Sequence, residues 1–294
     1  MKIQRFRSRL LSSGLLVALA ASGAAGQVSP LSPDELVRRA VQNEIKSKDD
    51  PAKFMFRDHK KRISDDQTKL IVETRDGAVG MVVALNGQPL SPQQHQWEIA
   101  RIERFVKDSN ELRKKQQQEK DDADRASRII KALPDAFQYE FDGTETSRPG
   151  VGKPGEELVR LKFRPNPKYD PPTRVEQILT GMQGSALVDA KRNRMVRIEG
   201  TLFKDVGFGW GLLGHLDRGG HIYIEQAEVS ENTWQITAVQ YTFTGKVLLF
   251  KNINVKTTET LSDFRPVPPD LTFAQGLALL KEEDSVAENH PQSK

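Results

Sequence analysis

Two spacings of hydrophobic residues divide the chain into helical and extended segments. Apolar residues three and four apart over positions 36–45 predict a helix with one buried face. Ser32 fits its N-cap, Pro33 its first turn and Glu35 the third position of a capping box. The sequence therefore predicts an N-terminal helix that ends near Lys46 and docks on the rest of the protein.

A second helix is predicted from about 91 to 133. Ser91 and Pro92 repeat the N-cap and first-turn proline, and Gln94 completes another capping box. Its central part, Arg113 to Asp122, has no apolar residue and so cannot bury a face. This part is either a solvated helix with alternating charges or a frayed break between two helices, and its mixed charge argues against a basic arm for binding a partner.

Alternating apolar residues predict about ten strands, most of them paired antiparallel with their sequence neighbours. Three early strands are expected between Lys53 and Leu90, around the Asp76-Gly77 turn. A further turn is expected at Gly245-Lys246. Seven later strands are predicted at Phe137–Phe141, Leu158–Phe163, Ser185–Asp189, Met195–Phe203, His221–Val229, Trp234–Phe243 and Val247–Thr258.

The alternation also assigns side chains to the faces of the sheet. Val196, Ile198 and Leu202 are expected on one face, with polar residues between them on the other. In the later strands, apolar residues stand at both odd and even positions and so on both faces of the sheet. This predicts that both faces are covered. The expected fold is α+β, a curved antiparallel half-barrel of about ten strands with an N-terminal helix and a long charged helix. Its concave side is either an apolar cavity or a closed core.

The first 26 residues have the pattern of a secretory signal peptide. Basic residues precede an apolar stretch from Leu10 to Ala21, and Ala24-Ala25-Gly26 form a cleavage site before Gln27. The stretch is short and rich in small residues, which favours cleavage over an uncleaved membrane anchor. The whole chain has 44 Lys plus Arg against 40 Asp plus Glu, and the segment holds four basic and no acidic residues. Cleavage leaves a nearly neutral protein, which argues against a nucleic-acid partner.

Cysteine is absent from the chain, which excludes disulfides, thiolate metal sites and a lipidated N-terminal cysteine. We therefore expect an exported, periplasmic or secreted protein with no stable membrane span after cleavage. It should consist of one domain over residues 27–280, with a helical insertion at about 91–133 and a disordered tail at 281–294. No residue pattern calls for a cofactor or a metal.

Two local segments have residue types that could carry chemistry or binding. The glycine-rich stretch from Gly207 to Gly214 lacks the lysine and following helix of a phosphate loop. It is either a mobile apolar flap or an irregular crossing that completes the core. His215, Asp217 and His221 would suit a hydrolase only if they converged, and their glycine-flanked setting favours a solvated turn. We therefore expect a protein that is not an enzyme.

Several short motifs resemble an uncharacterised family of exported bacterial proteins, itself similar to the lipoprotein-localisation-factor superfamily. The resemblance implies a curved half-barrel whose cavity holds acyl chains. The charged helix is far longer than the helix that plugs such a carrier. The motifs are Asn86–Pro92, Phe163–Pro167, Pro171–Arg174, Met182–Gly184, Val188-Asp189, Asp205–Gly209, Gly219-Gly220, Glu225-Gln226, Trp234 and Asp263–Arg265.

The leading hypothesis is a cell-envelope protein that binds or carries a lipid, an acyl chain or another hydrophobic ligand on the concave face of its sheet. The alternative is a structural protein that engages an envelope protein partner through the charged helix or the Gly207–Gly214 segment. The candidate ligand-binding residues are Val196, Ile198, Leu202, Phe208, Trp210, Leu212, Leu213, Trp234, Ile236 and Leu249.

Overall fold

The protein has an α+β fold built on one large antiparallel sheet. The computed structural model describes residues 31–47, 51–208, 213–247 and 251–289. Within these ranges the helices are α1 (Pro33–Ser47), α2 (Pro92–Lys107), α3 (Ser109–Ala136), α4 (Arg174–Gln177) and α5 (Phe273–Asn289), with a 3-10 turn at Ile178–Gly181. The strands are β1 (Lys53–Arg62), β2 (Asp66–Thr74), β3 (Gly77–Leu85), β4 (Gln88–Pro89), β5 (Phe137–Thr146), β6 (Glu157–Pro165), β7 (Met182–Asp189), β8 (Arg194–Leu202), β9 (Val206–Phe208), β10 (Gly214–Leu216), β11 (His221–Ser230), β12 (Thr233–Val247) and β13 (Lys251–Val267).

The described strands form a single open sheet of thirteen strands in the order β4-β3-β2-β1-β13-β12-β11-β8-β7-β6-β5. The short strands β9 and β10 lie off this path, with β10 on β12 and β9 on β10. Sequence neighbours pair antiparallel as expected, and β4, β9 and β10, of two or three residues each, account for the strands beyond ten. The first long strand, β1, pairs with the last strand, β13. This pairing brings together two segments that are about 200 residues apart in the sequence.

Both main predicted helices are present, but the second is divided in two. Ser91 and Gln94 form the expected capping box at the start of α2. The chain leaves the helix at Asp108, whose side chain accepts hydrogen bonds from the backbone N–H groups of Asn110 and Glu111 and so caps α3. The polar stretch from Arg113 to Asp122 is continuous helix within α3. The break therefore precedes the polar stretch.

Two main hydrophobic cores lie on opposite faces of this one sheet. Leu70 of β2 belongs to a core closed by α2 and α5, whereas Leu202 of β8 belongs to a core closed by α1 and the end of α3. Strand register shows that the two cores lie on different faces. Leu70 lies on the same face as its partner Arg57. The pairs that lead from β1 through β13, β12 and β11 to β8 place Arg197 on that face too. Leu202 has the opposite parity to Arg197. Each half of the sheet is thus covered by helices on a different face.

A β-bulge corrects the prediction that Val196 shares a face with Ile198 and Leu202. Leu187 of β7 pairs with Arg197 and Val188 pairs with Met195, so Val196 is an extra residue in β8. It packs with Val151, Leu158 and Leu187 in a third, smaller core on the face opposite Leu202. Alternation along the sequence cannot reveal such a change of phase.

The expected turn at Gly245-Lys246 is also wrong, because both residues lie within β12. Gly245 pairs with Ile253 of β13 and with Leu216 of β10. A Cβ atom at Gly245 would lie 2.1 Å from the carbonyl oxygen of His215. Glycine is needed here for the close approach of a third strand, and the hairpin continues to the pair Val247 and Lys251.

The C-terminal region is helical where a disordered tail was expected to begin. Helix α5 continues through Lys281 to Asn289. Phe273, Leu277 and Leu280 are buried against β2 and β3, and Lys281 forms an ion pair with Glu103 of α2. The docked apolar face stabilises this helix and lets it continue into the polar sequence.

Helix α2 covers one edge of the sheet by hydrogen bonding to β3. Glu98 is 9% exposed, and its Oε1 accepts a hydrogen bond from the backbone N–H of Val82 at 2.8 Å. The guanidinium of Arg101 donates to both carboxylate oxygens of Glu98, at 2.6 and 2.7 Å. An uncovered edge would offer unpaired backbone groups to another chain, and this helix satisfies one of them, the N–H of Val82.

Replacing Glu98 by alanine is expected to lower the free energy of unfolding by about 2 kcal/mol, because it leaves a buried N–H without an acceptor and Arg101 without its partner. Urea denaturation measures the change. The control is Glu111→Ala, which removes an exposed ion pair with Lys114 and should cost much less stability, because water and salt screen such a pair. Equal losses in the two variants would contradict the edge-covering role of Glu98.

Candidate ligand-binding face

A strip of apolar side chains crosses the centre of the sheet on the same face as Leu202. Strand register places Ile222 opposite Tyr241, Ile224 opposite Val239, and Phe243 opposite Val255. The side chains are half-buried, except Val255, which is 39% exposed. We call this set the apolar strip; it consists of Ile222, Ile224, Val239, Tyr241, Phe243, Ile253, Val255 and Leu261.

The strip belongs to strands on which the helices of the described residues do not pack extensively. The extensive contacts of β12 and β13 are with neighbouring strands. Ile222 and Phe243 reach the edge of the core that contains Leu202, so the strip continues from that core toward the centre of the sheet. The other face of β12 and β13 is polar, with Gln240 opposite Thr258 and Thr242 opposite Lys256. The expectation of apolar residues on both faces is therefore wrong for residues 240–246 of β12 and 252–262 of β13.

Four charged residues lie at one end of the strip, on β1, β2 and β13. Register places Glu259 between Val239 and Lys60, and Asp58 between Leu261 and Lys69. The Lys60 Nζ lies 2.6 Å from Glu259 Oε1, and both side chains are largely buried. We call these residues, Asp58, Lys60, Lys69 and Glu259, the acid–lysine cluster.

The carboxyl group of Asp58 is the least satisfied member of this cluster. Its Oδ1 is buried and has no hydrogen-bond partner among the described residues. Burial raises the pKa of Asp58 from 3.8 to about 6, and the negative charge of Glu259 adds to the rise. Burial also lowers the pKa of Lys69, against the opposing charge of Asp58. The cluster therefore holds charges at a site that favours their neutral forms.

The site residues proposed from sequence are distributed over different parts of the structure. Leu202 is fully buried, and Ile198 and Phe208 pack against the same core. Val196 and Trp234 belong to the third core, where the Arg194 guanidinium carbon lies 5.7 Å from the centroid of the Trp234 ring. Ile236 is 43% exposed. Trp210, Leu212 and Leu249 lie outside the described residues.

Leu213 lines an open groove with a volume of about 1210 Å³. The rest of its lining comes mainly from the 170–180 segment, with Arg128 contributed by α3. The lining mixes apolar residues with charged ones, among them Asp170 and Arg174. Two of the apolar side chains in the glycine-rich stretch are described: Phe208 packs against the core that contains Leu202, and Leu213 borders this groove.

The two histidines considered for a hydrolase site pair with different carboxylates. His215 Nε2 lies 3.2 Å from Asp217 Oδ1, and His221 Nε2 lies 3.2 Å from Glu199 Oε1. Within the described ranges, no group of three or more His, Cys, Asp or Glu side chains is arranged to hold a metal ion. The geometry provides no shared site for these histidines.

Sequence reasoning missed both the acid–lysine cluster and the extent of the apolar strip. The strip could have been found from parity in β13, where Ile253, Val255 and Leu261 alternate with polar residues. The cluster could not, since it depends on pairing between β1 and β13.

The chain was compared with protein-family models, with curated proteins and with solved structures, and none of the three comparisons found a match. None of the helices in the described ranges is long and apolar enough to span a bilayer.

Asp58→Asn is expected to stabilise the protein at neutral pH. Between pH 3.8 and about 6 the folded state retains a proton that the unfolded state has lost, so the contribution of Asp58 to stability falls as pH rises through this range. The stability difference between variant and wild type should grow by roughly 1–2 kcal/mol from pH 4 to pH 7.5, a value reduced for partial solvent screening.

Urea denaturation at several pH values measures this difference. Asp65→Asn in the nearby β1–β2 turn is the control, because hydrogen bonds from Ser64 and Gln67 lower the pKa of Asp65. That variant should lose stability relative to wild type as pH rises. A pH-independent difference for Asp58→Asn would show that its carboxyl group is not perturbed.

Proposed function

We propose that this protein binds a hydrophobic ligand, such as a lipid or an acyl chain, on the apolar strip, and that its role is not enzymatic. The observation that supports the proposal is the asymmetry of β12 and β13, which are apolar on one face and polar on the other. Apolar side chains left half-exposed on adjacent strands are typical of surfaces that bind an apolar partner.

The proposal includes a curved, half-barrel form of the sheet, with the apolar strip on its concave side. It is supported by the resemblance to the lipoprotein-localisation-factor superfamily, whose members hold acyl chains in such a cavity. The open sheet and its antiparallel order are compatible with that form. Likeness in fold alone does not establish a ligand, so the strip carries the proposal.

We also propose that the protein is exported to the periplasm or secreted, with cleavage before Gln27. The support is the sequence pattern of residues 1–26. These residues lie outside the described part of the structure. Export would place the strip in the compartment where lipids and lipoproteins cross between membranes.

Val239→Lys is expected to weaken binding of the neutral fluorescent probe N-phenyl-1-naphthylamine by about tenfold, because it places an ammonium group within the apolar strip. Fluorescence titration measures the dissociation constant. Gln240→Lys is the matched control, because the adjacent side chain lies on the polar face of the same strand. Val255→Lys, at an exposed position of the strip, provides a second test. Probe binding that is absent in wild type, or equal in all variants, would overturn the proposal.

A second candidate function is binding of an envelope protein partner through α3. Residues 120–126 of this helix are exposed at every position, so two turns of helix stand free of the sheet. A photocrosslinker at Lys120 should give one defined protein adduct in intact cells if α3 is a docking element. The same crosslinker at Lys114, on the preceding part of the helix, is the control, and adducts equal at both positions would contradict a specific partner.

A further inference from the structure

A small cavity between the sheet and the helices is lined by a lysine that has no hydrogen-bond acceptor among the residues that the structure describes. The cavity has a volume of about 250 Å³ and lies between β2, β3, α2 and α3. Apolar side chains form part of its wall, among them Ile71, Ile102 and Phe105, and three cations, Lys69, Arg101 and Lys115, complete it.

Two of these three cations are already neutralised by carboxylates. Arg101 is held by Glu98, and Lys115 forms an ion pair with Glu119. Lys69 forms no hydrogen bond or ion pair with any described residue. The register places Asp58 directly opposite it, and Asp58 attracts the lysine without forming an ion pair with it.

The surroundings of Lys69 favour a bound anion. Its side chain is half-buried, and the positive charges of Arg101, Arg62 and Lys60 repel its ammonium group while Asp58 attracts it. An ammonium group that is partly shielded from water is stabilised by an anion that accepts its hydrogen bonds. The apolar wall offers contact to a hydrocarbon tail, but a volume of about 250 Å³ admits only a small molecule.

We propose that this cavity binds an organic anion with a short apolar tail, with Lys69 Nζ donating hydrogen bonds to the anionic group and Ile102 and Phe105 contacting the tail. Asp58 opposes binding, because its negative charge lies on the neighbouring strand. The cavity is a different space from the apolar strip, although Lys69 and Asp58 also border one end of the strip, and the proposal does not depend on the function proposed for the strip.

Octanoate is a suitable probe, and isothermal titration calorimetry at pH 7.5 measures its affinity. Lys69→Met, which keeps the length of the side chain without its charge, should weaken octanoate binding about tenfold or more. Asp58→Asn should strengthen it about threefold by removing the opposing charge. A structural role for the two residues would not give opposite changes in affinity.

Three controls establish that octanoate binds in this cavity and through its charge. Lys61→Met removes an exposed lysine from the other face of β1 and should leave octanoate affinity unchanged. Octylamine should not compete with octanoate, since it carries the wrong charge. Val239→Lys should leave octanoate binding intact, so that failure of the apolar strip and failure of this cavity are separate results.

The proposal is overturned if wild type does not bind octanoate, if Lys69→Met binds it as tightly as wild type, or if octylamine competes for the site. Thermal melts establish that each variant is folded. Lys69→Gln, which keeps a polar side chain, replaces Lys69→Met if that variant does not fold, and the same loss of affinity is expected.

Discussion

The ladder between β1 and β13 is the interaction on which the rest of the structure depends. In the described residues it is the pairing that connects β1 to β4 with the other strands. It runs from Lys53 opposite Val267 to Arg62 opposite Thr257. Because it joins the two ends of the chain, it can form only after a large loop closes, which costs entropy and slows folding. It also brings Asp58 and Glu259 together, so the same ladder creates the acid–lysine cluster.

The placement of the cores on opposite faces explains why the centre of the sheet differs from its two halves. Helices α2 and α5 cover β2 and β3 on one side, and α1 with the end of α3 covers the other half on the other side. Between them lie β12 and β13, which are 15 and 17 residues long. Their extensive contacts are with neighbouring strands. One face of this centre is polar and suits water. The opposite face carries the apolar strip, whose contact with water is unfavourable.

The sequence predicts correctly the features that depend on residues close together in the chain. The helix start at Ser91 and the strand pairs around Asp76-Gly77 depend on neighbouring residues, and they are correct. The division at Asp108 had a local signal too, since an Asp precedes Ser109, Asn110 and Glu111 in the manner of an N-cap. From the sequence, a break between two helices was expected only in the polar part from Arg113 to Asp122, and not at Asp108.

Features that depend on distant contacts could not be predicted from the sequence. The bulge at Val196 is defined by its partners on β7, and a one-residue change of phase moves the side chain to the other face. Gly245 followed by Lys246 looks like a turn in the sequence. The glycine is needed instead because β10 approaches closely at this position. The candidate site residues on the strands follow parity along single strands, and the structure divides them between two cores and the surface.

The apolar strip cannot be attributed to strand propensity alone. Both faces of β12 and β13 need residues that favour extended backbone, and propensity makes no distinction between them. On the polar face this need is met by threonine, as at Thr242, Thr258 and Thr260. On the other face the same strands carry mainly valine, isoleucine, tyrosine, phenylalanine and leucine, with Thr257 as a buried exception. Since the backbone requirement is equal, the difference reflects the surroundings of each face. A half-exposed apolar surface stabilises the protein only when another apolar surface covers it and removes it from water.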